Sequence, residues 1–200
     1  MSSTSTADRT GSPGPARSMV VAAASRHGST AEIADRLAEV LAQDLGAGWD
    51  VARVEPDDLH RLQGADAVVL GSAIYLGRWM RPAAHALDAL RDAPPPNLWL
   101  FSTGPVSDDE VENAQIVSAD ALADLGEAGE HKVFGGTIDP ARLSLGERLV
   151  VKAVHASAGD HRDWHEVERW AHHISAELVA RDQPGQATGT KDPPGGGISL

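Results

Sequence analysis

Short apolar runs that alternate with helical stripes constrain this chain more than any other feature. MVVAAA (19–24) is an unbroken apolar run, the pattern of a strand covered on both faces. Ile33, Leu37, Leu41 and Leu45 follow at intervals of four and mark one stripe of a helix. WDVARV (49–54) reads as a weaker strand, and ADAVVLGSA (65–73) as a strong one with a helix from near Pro82 to Leu90 behind it. NLWLFS (97–102) is the next strand, Ser118 to Leu125 the next helix, and HKVFGGTI (131–138) the last strand. Val167, Trp170, Ala171, Ile174 and Leu178 line a closing helix. Strands alternating with helices call for right-handed crossovers, so the sequence predicts an α/β fold. The expected form is a doubly wound sheet of five parallel strands with helices on both faces.

With five Trp, two Phe and one Tyr, such a core must be filled mostly by Ala, Val and Leu. Residues 1–18 and 182–200 are rich in Ser, Thr, Gly and Pro with little to bury, and are expected to be disordered tails around a domain at 19–181. Seventeen basic against 29 acidic residues leave a net charge of −12 with no basic cluster, which argues against a nucleic-acid partner. The absence of cysteine excludes disulfides, thiolate catalysis and Cys-ligated metals, and is compatible with a reducing cytoplasm. The N-terminus lacks the apolar region of a secretory signal, and no stretch approaches the roughly 18 apolar residues of a membrane span. A soluble, cytoplasmic protein is expected.

Ligands of open parallel sheets sit beyond the carboxyl ends of the strands. Three loops leave such ends here: SRHGST (25–30), SAIYLGRW (72–79) and STGPVSDD (102–109). The first precedes a helix, whose leading N–H groups lack intrahelical partners and carry partial positive charge. Together with the hydroxyls of Ser25, Ser29 and Thr30, they suit a phosphate. The plainer alternative is a capping box of Ser29 and Glu32, which leaves Ser25, His27, Gly28 and Thr30 unexplained. Neither G-x-G-x-x-G nor a Gly-Lys-Ser/Thr loop occurs, so a dinucleotide or a nucleoside triphosphate is not indicated.

Ser25-Arg26-His27-Gly28-Ser29-Thr30 resembles the phosphate loop of the flavodoxin family, roughly Ser/Thr-x-Thr-Gly-x-Thr, with His27 in place of the usual Thr. GSAIYLGRWM and FSTGPV are similar to the second and third loops of that family. The segment FGGTIDPARLSLGERLVVKAVHASAGDHRDWHEVERWAHHIS resembles the insertion and final helix of menaquinone-dependent protoporphyrinogen oxidases built on the flavodoxin fold. The resemblance implies one non-covalent FMN. Its phosphate would lie on Ser25, Arg26, His27, Gly28, Ser29 and Thr30. Its ring would lie beside Ala73, Ile74, Tyr75, Leu76 and Gly77 on one side and Ser102, Thr103, Gly104 and Pro105 on the other. It further implies an FMN-dependent oxidoreductase of the protoporphyrinogen-oxidase type, hence heme biosynthesis, passing electrons to a quinone or a flavoprotein. An electron carrier without its own substrate and a flavin-free regulatory domain are the alternatives.

Within that frame Tyr75, the sole tyrosine, is placed to stack on the flavin, or else is a partly buried loop aromatic. Gly77 and Gly104 would let the backbone approach the ring. Trp79, expected to begin a helix, and Trp99, inside a strand, read as structural. STGPVSDDE offers no aromatic, so one flavin face would stay open to a substrate, which favours an enzyme over a shuttle. Asp108, Asp109, Glu110 and Glu112 would lower the flavin potential, or simply form a solvated helix start. No catalytic acid or base stands out, and the flavin N5 would carry the chemistry. His161, Asp163 and His165 suggest a metal only weakly, because Asp163 and Glu166 make a capping box and the adjacent His172 and His173 diverge. No metal is expected. The insertion at 141–158 has a broad apolar surface that would pack on the sheet edge, cover a hydrophobic substrate, or touch a bilayer weakly.

Overall fold

Met19–Ala24 lie at the centre of β1 (Arg17–Ala24) and are 4% exposed or less, because helices cover this strand from both sides. The computed structural model describes residues 16–75, 78–104, 130–138 and 159–182. Behind β1 come α1 (Ser29–Leu45), β2 (Trp49–Val54), α2 (Leu59–Gln63) and β3 (Ala67–Tyr75). The chain continues through β4 (Arg78–Trp79), α3 (Arg81–Asp92), β5 (Leu98–Gly104), β6 (His131–Gly135), β7 (Thr137–Ile138), β8 (Gly159–Asp160) and α4 (Trp164–Arg181).

Five strands pair in parallel in the order β2-β1-β3-β5-β6, the doubly wound sheet that the alternating pattern predicts. The strand order reverses between β1 and β3, the place where such sheets bind ligands. One face buries Met19, Val21 and Ala23 with Trp99, Phe101 and Phe134 beneath α1 and α4. There the stripe Ile33, Leu37 and Leu41 meets Val167, Trp170, Ile174 and Leu178. The other face buries Val20, Ala22, Leu70, Leu98 and Leu100 beneath α3, with Leu62 of α2 at its side. Phe101, Phe134 and Trp170 meet edge-on with ring centroids 5.6–6.2 Å apart. The Phe101 ring packs against Gly71, where a Cβ would come within 2.1 Å of the ring, so β3 needs glycine at this one position.

Several elements differ from the sequence expectation. β1 starts at Arg17, inside the expected tail: Arg17 pairs with Trp49 across the strands and holds Asp182 at the end of α4 by an ion pair. A two-residue strand, β4, occupies part of the expected loop 72–79, and Trp79 lies in it rather than at a helix start. It runs antiparallel to β3, with Ile74 opposite Trp79 and Tyr75 opposite Arg78. The last apolar run divides into β6 and β7, because the backbone changes partner at Gly136. Its N–H donates to Gly104 O (3.1 Å), while its carbonyl accepts from His161 N–H (3.1 Å). β7 then pairs antiparallel with β8. The expected helix at 118–125, the insertion at 141–158 and the terminal segments before 16 and after 182 lie outside the described residues. Among the described residues no helix is long and apolar enough to cross a membrane.

Candidate functional site

The loop after β1 closes on itself before α1 begins. Gly28 has φ 93°, the left-handed region that glycine enters without strain, and it occupies the cap position of α1. Its N–H donates to Ser25 Oγ (3.1 Å), and its carbonyl accepts from Glu32 N–H (2.9 Å). The N–H groups of Ser29, Thr30 and Ala31 therefore precede the helical ladder at the positive end of a 17-residue helix. A helix end of this kind suits an anion.

The capping box of Ser29 and Glu32, the plainer alternative to a phosphate loop, is absent. Gly28 takes the cap, which moves Ser29 into the helix, and no side chain caps this end. Ser29 Oγ instead accepts from Thr137 N–H (3.1 Å), and the Glu32 carboxylate pairs with Arg162. Thr30 is 2% exposed, and its hydroxyl lies 2.6 Å from that of Thr103 in β5. Arg26 and His27 reach toward Tyr75, which is half-buried at the end of β3. The Arg26 guanidinium carbon lies 5.5 Å from the centre of the Tyr75 ring, and the His27 ring is 6.4 Å away at a 50° tilt.

The parallel register sets Ser72 beside Ser102 and Ala73 beside Thr103. Three expected groups thus meet at one edge of the sheet: Ser25–Thr30 after β1, Ala73–Tyr75 at the end of β3, and Ser102–Gly104 at the end of β5. Ala73–Tyr75 and Ser102–Gly104 are strand rather than loop. The Ser102 hydroxyl turns to Trp79 Nε1 (2.7 Å) and His131 Nε2 (3.0 Å), and the Gly104 carbonyl is taken by Gly136. Leu76, Gly77 and Pro105, with Asp108, Asp109, Glu110 and Glu112, lie outside the described residues.

Sequence reasoning passed over the frame behind this edge. Thr137 Oγ1 donates to Asp160 (3.0 Å), and Arg162 grips Asp160 through Nε (2.8 Å) and a terminal nitrogen (2.6 Å) while pairing with Glu32 and stacking on Trp164. The Arg162 hydrogen bonds hold the Asp160 carboxyl well below the usual carboxylate range, against a smaller upward effect of burial. Arg162 is correspondingly raised. Burial pushes His131 down to about 4. A Gly-Gly-Thr at a strand end hinted at Thr137. Nothing local hinted at Arg162, which lies 130 residues from Glu32.

The region of the weak metal suggestion is occupied otherwise. Asp163 caps α4, its carboxylate accepting from Glu166 N–H (3.1 Å), but the reciprocal arm of the expected capping box is missing because Glu166 pairs with Lys132. His172 contacts Asp44, and His173 faces Glu130 and Glu177, so the two do diverge. Among the described residues no group of three or more His, Cys, Asp or Glu could hold a metal ion.

A left-handed glycine before a helix, at the strand-order reversal of the parallel sheet β2-β1-β3-β5-β6, coincides with what sequence comparison finds. Residues 20–165 match the family model of the flavodoxin domain. The chain belongs to the flavodoxin domain family. Its fold is shared with the flavodoxin of Streptococcus pneumoniae TIGR4, at 22% identity and a TM-score of 0.56 over 83% of this chain and 99% of that one. The rubredoxin oxygen:oxidoreductase of the anaerobe Desulfovibrio gigas shares it at 18% identity and 0.57, over 84% of this chain but 38% of that one. An NADH:FMN oxidoreductase in its apo form does so at 16% and 0.54, over 80% and 89%. No curated protein sequence matches the chain. In this flavodoxin domain the loop SRHGST is the turn between the first strand and first helix, as the family resemblance implies.

Proposed function

We propose that the domain binds one non-covalent FMN and acts as an oxidoreductase of the protoporphyrinogen-oxidase type, passing electrons to a quinone or a flavoprotein acceptor in the cytoplasm. The observation that carries the cofactor is the Gly28-capped start of α1 beside Tyr75. The donor set fits a phosphate monoester: helix-end N–H groups without intrahelical partners, the hydroxyls of Ser25 and Ser29, and Arg26 on the same loop. The side chain of Thr30 supports the loop rather than the ligand, through Thr103.

FMN, when bound, supplies a ring that accepts a hydride or single electrons. The chain orients and tunes it. Tyr75 gives a half-buried aromatic face backed by Arg26, and the ends of β3 and β5 form the wall beside it. Resemblance of the segment after β6 to the oxidases supports the finer activity, and the flavodoxin family supports the coarser one. The rival reading, an electron carrier without its own substrate, shares the cofactor and differs in turnover.

The test is the purified chain's visible spectrum and its affinity for FMN against riboflavin, which lacks the phosphate. FMN should bind at least 100-fold more tightly, since each hydrogen bond to a charged group contributes about 1.5–3 kcal/mol. Ser25→Ala with Ser29→Ala should erase most of that preference. Equal affinity for the two flavins would remove the phosphate assignment. Protoporphyrinogen IX oxidised in the presence of menaquinone identifies the oxidase, and its absence with FMN bound identifies the carrier.

A further inference from the structure

We propose that Trp79, Ser102 and His131 form a relay of hydrogen bonds that positions the Tyr75 end of β3 against the flavin ring, an assignment that rests on the FMN reading above. The indole N–H can only donate, so the Trp79–Ser102 contact at 2.7 Å makes the serine oxygen an acceptor. The serine oxygen keeps a second lone pair as well as its own proton, so its 3.0 Å contact with His131 Nε2 runs in the direction that the imidazole tautomer sets. Burial favours the neutral imidazole. In the relay its proton sits on Nδ1 and Nε2 accepts, so the bonds run from Trp79 to Ser102 to His131, across β4, β5 and β6.

The relay matters because β4 has two residues and cannot hold its own place. Its two pairs are Ile74 with Trp79 and Tyr75 with Arg78, so wherever Trp79 is anchored, the strand end carrying Tyr75 is anchored too. A second tie, from Met80 N–H to Ser72 Oγ (2.9 Å), fixes the residue that follows β4. Successive residues of a strand point to opposite faces. Ser102 accordingly holds β4 and the Tyr75 strand end from one face while Thr103, its neighbour, holds Thr30 of the phosphate loop from the other. Two adjacent residues of β5 set both halves of the site.

The experiment uses the full chain, with and without FMN, and four variants. Trp79→Phe keeps a ring but loses the donor, and Ser102→Ala breaks the middle. His131→Leu removes the acceptor, whereas His131→Gln restores one through its amide oxygen. Trp79→Phe, Ser102→Ala and His131→Leu should each weaken FMN about 3- to 10-fold, the loss of one neutral hydrogen bond, and should change the bound flavin's spectrum and midpoint potential. His131→Gln should return both toward wild type. In the flavin-free protein the Trp79 indole N–H and Tyr75 amide resonances should move in His131→Leu and recover in His131→Gln. A variant set that lowers the melting temperature but leaves the potential, spectrum and Tyr75 amide unchanged overturns the relay, as does a Trp79 indole signal indifferent to His131. If the wild-type chain takes up no FMN, the function proposed above falls, and the Tyr75 amide response alone decides the relay.

Discussion

At residue 30 the side chain and the backbone have different tasks. The Thr30 N–H belongs to the helix end that would face an anion, while its hydroxyl is sealed against Thr103. Thr30→Val keeps the shape and removes the hydroxyl, leaving that of Thr103 without this partner in a buried setting. The expected cost is about 1–3 kcal/mol of folding stability by urea titration. FMN affinity should fall less than in the Ser25→Ala, Ser29→Ala double variant. A Thr30→Val protein as stable as wild type but unable to hold FMN would return the hydroxyl to the phosphate.

Among the elements, β8 and the start of α1 are joined by charge: Arg162 bridges Asp160 and Glu32 across the edge where the insertion leaves and rejoins the sheet. Asp160 titrates lower in the folded chain than its ordinary 3.8, so the folded state favours its ionised form. The stabilisation is therefore fully present above the unfolded pKa and is lost as pH falls below about 4 toward the depressed folded value. Nearly half of the Asp160 side chain is exposed, so solvent screening keeps the effect modest. Arg162→Met should lower the melting temperature by a few degrees at pH 7, and the gap to wild type should narrow as the pH is taken toward 3. A gap constant with pH would mean that Arg162 acts through its stacking on Trp164 instead.

For the whole molecule, the strands that flank residues 139–158 fix the two points where that segment joins the sheet. Residues 137–138 pair with 159–160, and Thr137 is bonded to Ser29 of the SRHGST loop. If bulky apolar porphyrinogen and quinone are the reactants, that segment is where a greasy surface would be supplied. Replacing 143–156 by a short Gly/Ser linker should leave FMN bound, by spectrum, and abolish turnover with menaquinone. Full quinone activity without it would favour a different substrate, and loss of FMN would make the segment part of the fold.

The sequence by itself determined the five parallel strands, the helices α1, α3 and α4, and the edge they share. Continuous apolar runs at 19–24 and 65–73 are strands because both faces are buried, and the intervals of four from Ile33 mark the helix face that reaches the core. A polar, glycine-bearing loop between strand and helix was equally legible, since helix-end chemistry is local. Tertiary structure decided who partners whom. Ser29 finds Thr137 at a separation of 108 residues, Thr30 finds Thr103 at 73, and Arg162 finds Glu32 at 130. The capping box from Ser29 fails because Gly28, free to take φ 93°, claims the cap one residue earlier, and Thr137 then claims the hydroxyl. Trp79 of β4 likewise donates to Ser102, a serine on a strand that no local window connects to it. Periodicity reports which face of an element is buried, but only the strand order brings β1, β3 and β5 side by side, and hydrogen bonds between side chains follow that order rather than distance along the chain.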